Sequence, residues 1–163
     1  MAEAVFVEFG GRGGHLGLEL LDRPYPDAEH DWDRDAILAR VTIEADELRG
    51  EFDVITWSHE LAHLRQVLLE LIEDLGTPQE RTFKFLDAAL WLTFGLDKQG
   101  HIALGVECRR GDSADPTRLL FTIGADQSYL WPWIQAIDDA LIWYPLQMHW
   151  QPPVRKDDSP GLE

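Results

Sequence analysis

Two stretches of this chain repeat their apolar residues at helical spacing, and most of the rest alternates. Between positions 57 and 75, Trp57, Leu61, Leu64, Leu68, Leu71 and Ile72 fall in one stripe at i, i+3/i+4 spacing, with Gly76 and Pro78 to end it. Near the C-terminus, Leu130, Ile134, Ile137 and Leu141 form a second stripe. Asp126 or Ser128 opens it, Pro132 sits in its first turn, and Pro145 stops it. Strand-period alternation marks Val5–Phe9, Leu16–Leu20, Ile37–Ile43, Leu90–Phe94, Ile102–Cys108 and Leu119–Ile123, with a further short strand at Phe83–Leu86. The order is strands, helix, strands, helix. That order predicts an α+β fold, with an antiparallel sheet of about six to seven strands and two helices packed on one face. No internal repeat is visible in the sequence.

A chain of 163 residues is one domain long, and the reading places that domain at 1–150, followed by a flexible polar tail at 151–163. A hydrophobic share of 45%, with seven Trp and seven Phe, supplies a core without staples. The lone Cys108 forbids an intrachain disulfide and reads as a buried, inert thiol. No signal peptide is visible, and the apolar runs are too short to span a bilayer, which predicts a cytoplasmic protein. Thirty acids against fourteen bases give a net charge of −16. Such a field repels nucleic acid and anionic membranes, and it speeds encounter with a basic protein.

His59-Glu60-Leu61-Ala62-His63 matches the HExxH pattern of zinc peptidases, in which two histidines one turn apart hold the metal and the glutamate activates water. Under that reading His59 and His63 are ligands and Glu60 is the base. Three features oppose it. The wheel turns both histidines away from the apolar stripe, onto the face expected to meet water, beside Gln66 and Glu70. No third ligand follows at family spacing; Glu80, Asp138 and Asp139 are the only candidates. Strands, not helix or loop, follow the motif. The expectation is no catalytic residue, no metal and no cofactor, with a small zinc hydrolase as the alternative.

Residues 22–35 carry six acids and two arginines, and Trp32 in their middle is placed to anchor them to the body. Asp27, Glu29, Asp31, Asp33 and Asp35 are the candidate contacts for a basic protein partner. Trp131, Trp133, Trp143, Tyr144 and Trp150 crowd the C-terminal region. About half of them belong to a core, and the rest suit a partner or homodimer surface. Gly11–Gly17 lacks the spacing of a nucleotide loop and reads as a hairpin turn.

The line of the chain resembles the WapI-type immunity proteins and related uncharacterised bacterial families found near polymorphic toxins. The resemblance covers about residues 36–145. It rests on a strand entering Trp57-Ser58-His59-Glu60-Leu61, a hairpin at Gly100-His101-Ile102, and above all Phe121-Thr122-Ile123-Gly124-Ala125-Asp126-Gln127-Ser128-Tyr129-Leu130. It implies an antiparallel sheet with two helices and neutralisation of a cognate toxin, and it brings no catalytic residues. The reading is a non-catalytic protein-binding module, with a homo-oligomeric structural protein as a third option.

Overall fold

The computed structural model describes residues 4–111, 114 and 117–153; most of the stretch that the sequence gives as a polar loop, 111–116, and most of the predicted tail at 151–163 lie outside the described residues. The chain forms two antiparallel sheets, not one. The first runs in the order β1 (Val5–Gly11), β2 (Gly14–Asp22), β3 (Ala36–Ala45), β4 (Leu48–Trp57). The second runs β5 (Gln79–Lys84), β6 (Leu90–Leu96), β7 (His101–Arg110), β8 (Thr117–Asp126). A four-residue helix, α1 (Asp31–Arg34), interrupts the acidic loop. α2 (Ser58–Glu73) follows β4, and α3 (Leu130–Trp143) follows β8 through a 3₁₀ turn at Gln127–Tyr129. Each half is thus a four-stranded meander that feeds a helix, a repeated plan that the sequence conceals. The class, α+β and antiparallel, is as expected.

The sheet count changes because of β4 and its turn. Ala45 pairs with Leu48 across Asp46-Glu47, a tight reversal with no glycine, in which Asp46 itself adopts φ 51°. Aspartate tolerates that left-handed region better than most residues, but without glycine the turn leaves a weak trace in sequence. On β4 the charged Arg49, Glu51 and Asp53 point outward, opposite Glu44, Thr42 and Arg40 of β3.

One cluster of buried residues runs through both sheets and both long helices. At its centre Phe9 of β1 meets Trp133 of α3 at 5.2 Å and Phe94 of β6 at 6.5 Å, with Phe94 and Trp133 at 6.4 Å. Tilted and edge-on rings at these separations add to area burial. The stripe Leu61, Leu64, Leu68 and Leu71 is fully buried, as the helical period requires. Cys108 is buried as expected, and burial pushes its thiol pKa up to about 11.

The sheets also touch directly. Arg12 and Gly124 exchange two backbone hydrogen bonds of 2.8 Å, pinning the β1–β2 hairpin tip to β8. Gly11 lies against this bridge, and a Cβ there would press into the Gly124 carbonyl. On the other side, Asp87 Oδ2 accepts from the Ile55 amide at 3.1 Å, which ties edge strand β4 to the β5–β6 loop. Among the described residues no helix is long and apolar enough to cross a membrane. Gly11→Ala is predicted to destabilise the fold by about 1–3 kcal/mol through this clash. Urea denaturation measures it, and an unchanged midpoint would show that the two sheets are not pinned there.

Candidate functional site

The acidic loop, the HExxH segment and the C-terminal aromatics, separate features in the sequence, meet at one place: the N-terminus of α2. Trp57 is the N-cap, in extended conformation. Glu60, at the third helical position, reaches back to the Trp57 amide at 3.2 Å, as the glutamate of a capping box does. It also accepts from Thr56 Oγ1 at 2.9 Å and from the Leu86 amide at 2.6 Å. The carboxylate thus joins β4, α2 and the turn after β5. Desolvation pushes its pKa up, against the pull of these donors.

His59 is buried as well. Its Nδ1 lies 2.7 Å from Asp35 Oδ2, and its amide donates to the same oxygen at 3.0 Å. Asp35 Oδ1 accepts from the Gln147 amide at 2.9 Å, and the Asp35 carbonyl accepts from the Ser58 amide at 3.1 Å. Asp35 is fully buried and its pKa is lowered: although burial is the largest influence and raises it, the donors from His59 and Gln147 together prevail. Arg23 runs alongside. Its guanidinium donates to the Arg34 carbonyl at 2.8 Å, to Ser58 Oγ at 3.0 Å and to the Pro145 carbonyl. Aromatic rings cover this polar knot. Trp32 lies 4.8 Å from the His59 ring and 5.6 Å from Trp57. His63 packs on Phe83 at 5.1 Å and on Trp150 at 6.1 Å, and burial lowers its pKa.

The expectation that His59 and His63 face water is therefore corrected. The wheel places them opposite the apolar stripe, as it must. But loop 22–35 and residues 144–150 pack on that second face, burying His59 and half-burying His63. The arrangement does not fit a peptidase centre. An Nδ1 held by a carboxylate would suit a metal-ligating histidine. Glu60, however, spends its carboxylate on three protein donors and serves to cap its own helix. Among the described residues no three His, Cys, Asp or Glu side chains are grouped to hold a metal. Asp138 pairs with Arg65, Asp139 with Gln135, and Glu80 is exposed on β5.

The predicted partner contacts divide. Asp27, Glu29, Asp31 and Asp33 are exposed, with Asp31 paired to Arg34. Asp35 is inside, so no partner reaches it. Trp32 anchors the loop as its position suggested, yet 44% of it remains exposed, and Tyr25 is 54% exposed. Of the C-terminal aromatics Trp133 is core, whereas Trp131 and Trp143 stand in solvent. Sequence reasoning missed Arg23, Glu60 as a clamp, and Gln147. Only the i, i+3 relation of Trp57 and Glu60 was available to signal any of them.

The family model for the Immunity protein WapI-like family matches residues 7–145. The chain belongs to that family. Comparison with curated proteins gave no match. Comparison with solved structures gave none either. The WapI-like match takes in both sheets, both long helices and every residue of the knot except Gln147. It also extends the resemblance seen in sequence back across β1, β2 and the acidic loop.

Two predictions follow from the knot. Glu60→Ala leaves three donors unsatisfied, two of them backbone amides, and is expected to cost about 3–5 kcal/mol in chemical denaturation. A loss below about 1 kcal/mol would contradict the clamp. Asp35 has a folded pKa below its ordinary 3.8. Its stabilisation is therefore full above that value and fades as pH falls through the folded pKa. Stability measured from pH 5 downward is expected to drop less steeply in Asp35→Asn than in wild type; parallel curves would count against a charged Asp35.

Proposed function

We propose that this WapI-like protein neutralises a toxin by binding it as a folded partner, without catalysis or cofactor, through the outer face of loop 22–35. Family membership supports a protein partner that is a toxin. The observation that carries the choice of face is its composition: Asp27, Glu29, Asp31 and Asp33 surround the exposed aromatics Tyr25 and Trp32. Exposed Trp and Tyr are the side chains that most often dominate binding energy, and a ring of carboxylates selects a basic counterpart.

The wider field points the same way. Residues 1–75 carry eighteen acids against six bases, whereas 76–126 carry seven against six. The negative potential is thus concentrated on the half that bears the loop. A basic toxin domain would be drawn to that half, and the encounter would weaken with salt.

The test uses a toxin domain whose activity is suppressed by co-expression of this chain, titrated against wild type and a Glu29→Lys/Asp31→Lys/Asp33→Lys triple variant. Affinity is expected to fall at least tenfold, mostly through slower association, with a flatter salt dependence. Equal affinity and equal salt dependence would refute the electrostatic reading. A homodimer is favoured by one observation, the exposed Trp131, Ile142 and Trp143 on α3. Sizing across concentrations, on wild type and Ile142→Asp, checks it: a dimer lost in the variant is the outcome this reading requires.

A further inference from the structure

Residues 145–147 lie against the base of the acidic loop, held by groups that belong to the loop. Arg23 fastens the Pro145 carbonyl, and Asp35 fastens the Gln147 amide at 2.9 Å. Between these two attachments Leu146 turns outward, with 40% of its surface exposed. On the other side of Asp35, His59 carries the exposed Trp32 on its ring at 4.8 Å. Leu146 and Trp32 thus belong to two segments tied to the same buried carboxylate, more than a hundred residues apart in sequence.

We infer that the binding face is composite: Leu146 belongs to it with Trp32 and Tyr25, and Arg23 and Asp35 are positioning residues that hold its two segments in one geometry. The occupant is a basic protein surface with an apolar projection that seats between Trp32 and Leu146, its cations meeting the four exposed carboxylates. This rests on the reading of loop 22–35 as the toxin-binding face and extends it.

Three observations support the step. Charge complementarity selects a cationic partner, because both arginines of the loop are already engaged: Arg34 pairs with Asp31, and Arg23 is spent on carbonyls and Ser58. The attachments are backbone-directed on the C-terminal side, so they fix the path of residues 145–147 without engaging the Leu146 side chain. And the polar knot is a costly way to hold two segments together, since apolar packing would do it with less desolvation. What the knot provides is one defined geometry, which reduces the ordering cost of binding.

The experiment titrates the same toxin domain against Leu146→Asp, Trp32→Ala and Arg23→Ala, with Arg23→Lys as the conservative variant. Both Leu146 and Trp32 are exposed enough that melting temperatures serve as a folding control. A loss of about tenfold or more in each of the first two supports the composite face. A loss in Trp32→Ala with none in Leu146→Asp overturns it and leaves the loop reading standing. No loss in either overturns both. Hydrogen exchange on the free protein tests the positioning role without any partner. Arg23→Ala is expected to speed exchange together in residues 22–35 and 144–150 while β6 and β7 stay protected, with partial recovery in Arg23→Lys. Faster exchange in one segment alone would overturn the fastening.

Discussion

A single carboxylate taken out of water organises the candidate site. Asp35 enters the protein at the start of β3 and accepts three donors, two from His59 and one from Gln147. An unpaired charge at that depth would cost several kcal/mol, so each donor is required. Through them the acidic loop, the first turn of α2 and the chain beyond α3 share one anchor. Glu60 does the same on the far side of the helix start, joining it to β4 and to the turn at Leu86. The loop's other acids are left outside, where they set the sign of the surface and make only local contacts such as the Asp31–Arg34 pair.

The HExxH pattern shows why a motif needs its surroundings. The residues and spacing of the HExxH segment itself are present, and the histidines do lie one turn apart on one side of α2. Chemistry then depends on what the atoms face. Here the glutamate caps its own helix and clamps a distant amide, and one histidine is fastened to an aspartate beneath tryptophan. The same letters build a structural junction, and the family to which the chain belongs is named for immunity proteins.

How much was legible follows from the range of each signal. Periodicity located both long helices and seven of the strands, because burial on one face acts residue by residue. It missed β4, whose hairpin turns at Asp46 without glycine, and so it merged two sheets into one. It also placed His59 in water, because the wheel accounts for the core side of α2 and knows nothing of chain that returns from positions 23, 35 and 147. The acids of the loop were visible; which of them was buried was not, since Asp35 differs from Asp33 only in where the backbone turns into β3. Long-range polar contacts of this kind leave no local pattern.

Asp35 and His59, joined by two hydrogen bonds, form one energetic unit at the centre of the knot. A double-mutant cycle in unfolding free energy, with Asp35→Ala, His59→Ala and the double variant, tests it most directly. A coupling of about 1.5–3 kcal/mol is predicted for a buried, charge-assisted pair. Additive losses, within about 0.5 kcal/mol, would show that the two side chains are neighbours without being partners and would contradict the account.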